Sequence, residues 1–404
     1  MSTTTRKTKV LIYCQYVRGI GHLSRMIAIA NVLNKNHEVL LVTGGEFPEF
    51  FSHLYGIHIS KLSPIISYEN GDQLLLRPVD DGISLQECQS IRIVELITCI
   101  DAFSPDLVIV EHFPFGDLFS FELIPALNHI RETPKHKHVF LACSVRDIIL
   151  TPGGNVDKDS ITCLRLNTIF DALLVHSDPQ IVTLEQSFSG MSLINIPVYY
   201  TGYVVREDPS LHITNKFLEE YISWFQHIRS PYLLCCIGGG RVGFELITAM
   251  SQCAKLMSGE LDVVAVSGPF ANRDEVKLFT KNTANISNFH FIASLPYLSP
   301  LMKKATACLS MCGYNTMVEV LASTTKSLLY VRPFHYGDEE QTLRAQIFEQ
   351  RSLSKIVSRG HIEPEDIASV ILREICAAPS QYQSVKLDGA ACTAKLIHDF
   401  LMAT

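Results

Sequence analysis

The chain has 404 residues and a formal net charge of −7, from 34 Lys and Arg against 41 Asp and Glu. Hydrophobic residues make up 47% and charged residues 19%, which is enough apolar material for buried cores and excludes a disordered or fibrous chain. The excess of acidic residues argues against a broad basic face that binds nucleic acid, but it is compatible with a local phosphate-binding pocket.

The first residues and the cysteines predict a cytoplasmic protein. The opening stretch MSTTTRKTKVLIYC runs from basic residues directly into a short apolar strand, without a signal-peptide core, and no apolar run reaches the roughly 18 residues of a spanning helix. The twelve cysteines form no CxxC pair and mostly lie singly in apolar runs, which favours buried reduced thiols over disulfides or a zinc framework. Peripheral membrane contact is left open.

In the first half, short apolar runs alternate with longer helical patterns. Runs that are unbroken rather than alternating are typical of parallel strands covered by helices on both faces. The glycine turn after the first run leads into a predicted helix, His22–Leu33. The predicted strands are Lys9–Cys14, Glu38–Thr43, Asp106–Glu111, His138–Cys143 and Asp171–His176.

The same pattern restarts in the second half, after a polar segment with a helical middle, Arg206–Ser230. The strand Pro231–Ile237 ends in three glycines and precedes a helix from about Val242 to Leu256. Further strands are predicted at Leu261–Ser267, His290–Ala293, Thr306–Ser310 and Ser327–Val331.

This organisation predicts an α/β protein with two facing, doubly wound Rossmann-like domains and a cleft between them. The expected bounds are residues 1–210, residues 211–387 and a C-terminal helix, 388–404, that packs back on the first domain. Open parallel sheets bind ligands beyond the carboxyl ends of their strands, so functional residues are expected in the loops after strands.

The first glycine loop, Gly19-Ile20-Gly21, precedes His22 at a predicted helix start. Ser24 occupies the position of a third glycine, so the loop is a weak match to a dinucleotide-binding motif. A histidine at this place can act as a general base or orient an anionic group near neutral pH. A capping or packing role explains it equally well.

The second glycine loop fits G-x-G-x-x-G at Gly238, Gly240 and Gly243, with Gly239 between the first two. Its peptide N–H groups and the following helix N-terminus can bind phosphate, and Arg241 can add a charge. The next strand lacks the terminal acid that a dinucleotide ribose requires, which favours a phosphate loop without NAD. A turn needed only for packing is the alternative.

The stretch Ser310–Glu319 predicts a strand end, a turn at Gly313 and a helix beginning near Tyr314. Asn315, Thr316 and the helix N-terminus could bind a diphosphate. Glu319 shares a helix face with both residues and could accept hydrogen bonds from two ribose hydroxyls, or could simply complement the helix dipole.

Farther along, Glu340 and Gln341 offer acceptors and donors suited to sugar hydroxyls, although a solvated helix start would also account for them.

These motifs together resemble those of GT-B glycosyltransferases that use nucleotide-sugar donors, especially the branch containing the peptidoglycan UDP-N-acetylglucosamine transferase. The stretch Met311–Thr316 with Glu319 is similar to the family's donor signature, in which the turn holds phosphate and the acid binds ribose. Asp338–Gln341 resembles the pair that reads the donor sugar, and Gly238–Gly243 the diphosphate loop. Phe291–Pro296, which includes Ile292 and Leu295, resembles the segment whose backbone reads the base.

The resemblance implies an inverting, metal-independent transfer from a UDP-sugar, N-acetylglucosamine or a similar hexose, to a hydroxyl or amine of a small-molecule or lipid-linked acceptor. His22 would be the base, and Glu111 would orient it or bind the acceptor. His112 ranks with Glu111, while Asp117 and Arg146 are weaker candidates. Helix dipoles and Arg241 would balance the leaving-group charge, so no cofactor and no metal site are expected.

Two departures limit the transfer of roles. Many plant-type relatives have a phosphate-binding histidine where this chain has Met311, and the first glycine loop is shorter than in the lipid-linked peptidoglycan enzyme. The form G-x-G-H-x-x-R, from Gly19 to Arg25, also resembles the UDP-sugar hydrolase of pseudaminic acid synthesis. Hydrolysis and a catalytically inactive nucleotide-sugar-binding protein are therefore the alternative functions.

Overall fold

The computed structural model describes residues 6–16, 20–44, 57–70, 73–150, 156–206, 228, 231–295, 297–332, 339–360, 362–377 and 384–403. The chain divides into two compact units. The first contains Met1–Val205 and Lys386–Thr404, and the second contains Arg206–Val385. Nearly all of the predicted linker helix within 206–230 lies outside the described residues.

The first unit is built on a parallel sheet of seven strands. In chain order its strands are β1 (Lys9–Tyr13), β2 (Glu38–Thr43), β3 (His58–Lys61), β6 (Leu107–Glu111), β7 (Phe140–Arg146), β8 (Ala172–His176) and β9 (Val198–Tyr200). Between β3 and β6, the strands β4 (Ile65–Asn70) and β5 (Gln73–Pro78) form a separate antiparallel hairpin. The spatial order is β3-β2-β1-β6-β7-β8-β9. The order in which strands are added to the sheet reverses between the neighbours β1 and β6, and we call this point the direction change of the first sheet.

Both faces of this sheet are covered, as the unbroken apolar strands predict. Because side chains alternate across a strand, Val10 and Ile12 of β1 enter one core while Leu11 and Tyr13 enter the other. The helices of this unit that follow one another in the chain are α1 (Gly21–Leu33), α2 (Leu85–Phe103), α3 (Ser120–Glu132) and α4 (Val156–Ile169). Ser84 and Glu87 form a reciprocal capping box that fixes the start of α2.

The second unit repeats the design with six parallel strands, in the order β12-β11-β10-β13-β14-β15. They are β10 (Tyr232–Cys236), β11 (Asp262–Val266), β12 (Phe289–Ile292), β13 (Ala307–Ser310), β14 (Lys326–Val331) and β15 (Lys355–Arg359). Its helices are α5 (Phe244–Leu256), α6 (Arg273–Thr283), α7 (Ser299–Lys304), α8 (Tyr314–Ala322), α9 (Glu339–Gln350) and α10 (Pro364–Cys376). Here the direction changes between β10 and β13.

The last helix, α11 (Gly389–Ala403), packs against α1 of the first unit. Ile397 is fully buried there, and the ring of Phe400 stacks on Phe140 with centroids 4.6 Å apart. All twelve cysteines lie among the described residues as free thiols. Within the described ranges, no helix combines the length and apolar character needed to cross a bilayer.

Candidate active site

His22 and Glu111 meet at the direction change of the first sheet. His22 lies in the first turn of α1, just after β1, and Glu111 is the last residue of β6, the strand beside β1. Their side chains are joined by a hydrogen bond of 2.7 Å between Nδ1 and Oε1. The imidazole is 25% exposed whereas the carboxylate is 1% exposed, so solvent or a substrate reaches the histidine and not the acid.

Glu111 is held by a network of buried groups, most of which carry no local sequence signal. The guanidinium of Arg25, one turn after His22 on α1, forms a direct ion pair with Oε1. Ser144 Oγ donates to Oε2 at 2.6 Å and also lies 2.9 Å from His176 Nε2, and His176 Nδ1 lies 2.8 Å from Thr201 Oγ1. Each oxygen of Glu111 is therefore fixed from a different strand or helix.

This network sets the charge states of the pair. Burial by itself raises the pKa of Glu111, but the Arg25 charge and the hydrogen bonds with His22 and Ser144 outweigh it, and the net pKa lies well below the usual range. Burial lowers the pKa of His22, and the interaction with Glu111 opposes this only in part. A neutral imidazole whose Nδ1–H donates to an ionised carboxylate leaves a lone pair on Nε2, the form required of a general base.

The other first-unit candidates take different places. His112 follows Glu111 in a left-handed backbone conformation, φ 69°, with its ring centroid 5.1 Å from that of His22. Burial, with the charges of His22 and Arg146 adding to it, lowers the pKa of His112 to about 3. Asp117 instead pairs with Arg165 of α4 at 3.2 Å.

In the second unit, the glycine loop and the start of α8 come together at the direction change between β10 and β13. A Cβ built on Gly238 would lie 3.7 Å from Thr316 Oγ1, in the first turn of α8. Gly240 has φ +85°, and a Cβ there would lie 2.5 Å from the Ser267 carbonyl oxygen. A side chain at that position is excluded both by the backbone conformation and by the neighbouring loop.

Arg344 organises the turn before α8, and sequence reasoning missed it. Its side chain, 1% exposed, donates to the Cys312 carbonyl at 2.9 Å and lies over the Tyr314 ring at 5.8 Å. It also forms an ion pair with Glu340, one turn earlier on α9. Gln341 lies next to Glu340 in the first turn of that helix, so α9 brings the predicted sugar-reading residues toward the 312–314 turn.

Glu319 is already engaged by a partner that the sequence did not predict. The nearly buried carboxylate forms an ion pair with Arg206, whose guanidinium lies 5.6 Å from the centre of the Tyr297 ring. Arg206 is 113 residues away in sequence and belongs to the same unit. Since a carboxylate has about four lone-pair sites, one arginine does not exhaust its capacity to accept hydrogen bonds.

The remaining donor candidates are positioned by loops. The Arg241 guanidinium lies over the ring of Phe270 at 4.8 Å. Ile292 ends β12, and its carbonyl accepts from the Ser267 N–H at 3.2 Å, which fixes the segment leading to the half-buried Leu295. Gly19, Pro296 and Asp338 lie outside the described residues.

Comparisons with known proteins agree on one class. Two units of parallel α/β sheet, together with the solved structures that this chain resembles, define a GT-B fold. A UDP-glucosyltransferase from Polygonum tinctorium is 15% identical, with a TM-score of 0.65 over 99% of this chain and 100% of that chain. MurG from Acinetobacter baumannii is 13% identical, with a TM-score of 0.57 over 97% of this chain and 99% of that chain.

Residues 234–397 match the glycosyltransferase family 28 C-terminal domain. The UDP-N-acetylglucosamine–N-acetylmuramyl-(pentapeptide) pyrophosphoryl-undecaprenol N-acetylglucosamine transferase of Rippkaea orientalis is 24% identical over 307 residues, which cover 70% of this chain and 80% of that protein. The chain is a glycosyltransferase, in agreement with the resemblance noted in its sequence, and the match to family 28 is confined to residues 234–397.

Proposed function

We propose that the chain transfers a hexose, N-acetylglucosamine or a close relative, from a UDP-sugar to a hydroxyl or amine of a small-molecule or lipid-linked acceptor. The reaction is inverting and needs no metal. The observation that carries this proposal is the hydrogen bond of 2.7 Å between partly exposed His22 and ionised Glu111 at the carboxyl end of the first sheet. The relative from Rippkaea orientalis, a transferase of N-acetylglucosamine, supports the choice of sugar.

In the proposed reaction, Nε2 of His22 removes the proton from the acceptor as its oxygen or nitrogen attacks the anomeric carbon. The bond between that carbon and the β-phosphate oxygen breaks, and UDP leaves with the electron pair. Attack opposite to the leaving group inverts the anomeric centre. Glu111 stabilises the imidazolium that forms and keeps the ring in the tautomer that accepts at Nε2.

In the second unit, we assign the diphosphate to the peptide N–H groups of Gly238, Gly239 and Gly240 and to the start of α8. The helix N-terminus there is formed by Gly313, Tyr314, Asn315 and Thr316. Its partial positive charge offsets the negative charge of the phosphates. Arg241 supplies a full charge if it leaves its stacked position on Phe270.

We assign the ribose to Glu319, the sugar hydroxyls to Glu340 and Gln341, and the base to the backbone around Ile292 and Leu295. Gly21, at the start of α1, contributes an N–H in the first unit. We also propose a cytoplasmic location, which the free state of all twelve cysteines supports.

Incubation with a panel of UDP-sugars, with and without candidate acceptors, tests the proposal. We expect UDP release to depend on an acceptor and the product to have the inverted anomeric configuration by NMR. His22→Ala should lower turnover by about 10²- to 10⁴-fold, the usual contribution of a general base. The control is His138→Ala, which removes an imidazole that is 57% exposed and far from this network.

The same panel separates the other functions. Rapid release of free sugar without acceptor would identify a hydrolase, in which His22 activates water. UDP binding without turnover of any donor would identify a binding protein. Turnover that is unchanged in His22→Ala would contradict the assignment of the base. Transfer that is abolished by EDTA and restored by added metal ion would contradict metal independence.

A further inference from the structure

Three metal-ligating side chains converge at the edge of the first sheet opposite to His22 and Glu111. Asp101 lies in the last turn of α2, His129 in the last turn of α3, and His136 ends the 3-10 turn Pro134–His136. These elements precede β6 and β7, so the cluster lies at the amino ends of those strands. The groups that we assign to transfer follow the carboxyl ends.

The three donor atoms are close enough to share one ion. Asp101 Oδ1 lies 2.9 Å from His129 Nε2 and 2.8 Å from His136 Nε2, and all three atoms lie within 4.8 Å of one another. His136 is 1% exposed, so its position is fixed by packing, whereas His129 and Asp101 are 26% and 36% exposed and keep the cluster open to solvent on one side.

We propose that Asp101, His129 and His136 bind a divalent transition-metal ion, with Zn²⁺ as the best fit. Two imidazole nitrogens and one carboxylate oxygen form a donor set that zinc prefers, with water in the remaining position. Ligand atoms about 2.0–2.1 Å from a tetrahedral ion are separated by about 3.3 Å. The two separations from Asp101, 2.9 and 2.8 Å, need to widen by about half an ångström, a movement within reach of the partly exposed Asp101 and His129 side chains.

Binding requires that each histidine carry its ring proton on Nδ1, so that Nε2 offers a lone pair. For His129 the structure supplies an acceptor for that proton, because Thr133 Oγ1 lies 3.3 Å from Nδ1. Without an ion the Nε2–H groups donate to Asp101, so the ring proton has to move to Nδ1 when an ion binds. In that tautomer the contact with Thr133 orients the ring behind the ligating nitrogen.

Lys135 occupies the cluster in competition with a metal. Its ammonium lies 2.8 Å from Asp101 Oδ1, and together with the two imidazoles it holds the pKa of Asp101 well below the ordinary range, because all three donate hydrogen bonds to this one carboxyl. The side chain is 52% exposed and can move into solvent when an ion arrives. A bound ion would then connect the end of α2 to the segment between α3 and β7, which makes the site structural and independent of the proposed transfer reaction.

The test is titration of the chelator-stripped full chain with Zn²⁺ by calorimetry, and with Co²⁺ by absorption. We expect one ion per chain with micromolar or tighter affinity, visible d–d bands with Co²⁺, and a higher melting temperature with Zn²⁺, since the ion binds only the folded state. His129→Gln and Asp101→Asn should each weaken binding by at least about 100-fold, beyond the tenfold to 100-fold typical of losing an outer partner of a ligand.

Two neighbouring variants sharpen the test. Lys135→Ala removes the competing ammonium and should tighten Zn²⁺ binding, while the matched control His138→Gln removes an exposed histidine outside the cluster and should leave it unchanged. Circular dichroism of His129→Gln checks that the fold survives. Absence of binding, or stoichiometric binding that persists in both His129→Gln and Asp101→Asn, would overturn the proposal.

Discussion

Glu111 provides the most demanding prediction, because its charge is required in two ways. The carboxylate is 1% exposed and the guanidinium of its partner Arg25 is 2% exposed. Glu111→Gln keeps the shape but leaves the arginine buried without a counter-ion, which costs about 3–5 kcal/mol of folding free energy. The amide also loses its preference for accepting from His22, so we expect kcat to fall by about 10²- to 10⁴-fold.

A double variant separates these two effects. Replacing a buried ion pair by neutral groups of similar volume is often close to neutral for stability. Glu111→Gln combined with Arg25→Met should therefore recover most of the lost unfolding free energy while kcat stays low. Urea unfolding of the first unit measures the former, and UDP release in the presence of acceptor measures the latter.

The outcome can refute the reasoning on either side. A loss of stability below about 1 kcal/mol in Glu111→Gln would mean that Arg25 finds another partner or water. Recovery of turnover in the double variant would mean that the carboxylate has no role in orienting His22.

Three further predictions concern pH, the donor site and backbone strain. Burial lowers the pKa of His176 to about 3, so below about pH 6.5 the unfolded chain binds more protons than the folded chain. As the pH falls from about 6.5 to about 3, this histidine should lower the free energy of unfolding by about 1.4 kcal/mol per pH unit. His176→Gln should remove that slope from a profile of unfolding free energy against pH measured with urea. For the donor site, UDP should bind about 10- to 100-fold more tightly than 2′-deoxy-UDP by calorimetry, and this ratio should collapse in Glu319→Gln, with Arg206→Met added if the unpaired arginine destabilises the unit. Finally, Gly259 has φ +88° and no described atom within 4 Å of an added Cβ, so Gly259→Ala should lower the free energy of unfolding by about 1 kcal/mol. Gly240→Ala should lower it by about 1–3 kcal/mol more, because its Cβ meets a carbonyl oxygen. Equal losses in thermal unfolding would contradict this close approach.

Much of the fold was predictable because the central strands are buried on both faces and read as unbroken apolar runs. The prediction for Glu38–Thr43 matches β2 residue for residue, and most of the others are correct within two residues. The strands that were not predicted are short or lie at edges: β3, β9, β15 and the hairpin of β4 and β5. At an edge, neighbours decide whether a strand forms, and residue pattern has little influence.

The sites show the same division. The meeting of His22 and Glu111 follows from the rule that ligand sites lie beyond the carboxyl ends of strands, since His22 begins the helix after β1 and Glu111 ends β6. Arg206 and Arg344 carry no such local mark, because their partners are set by packing of distant segments. His129 and His136 offered a signal in their spacing, but Asp101 completes the cluster from another helix and could not be assigned without the structure.

The predicted functional glutamates share one feature that bears on the direction of proton transfer. Glu111, Glu319 and Glu340 are each paired with an arginine, and the carboxylate in each pair accepts hydrogen bonds from the guanidinium. The pairing alone does not mark a functional site, because Arg92 and Glu122 form the same kind of pair, fully buried, between α2 and α3. What distinguishes Glu111 is the partly exposed imidazole beside it. We therefore propose His22 as the group in this network that takes a proton from a substrate, and the three acids as the groups that orient His22, the ribose and the sugar.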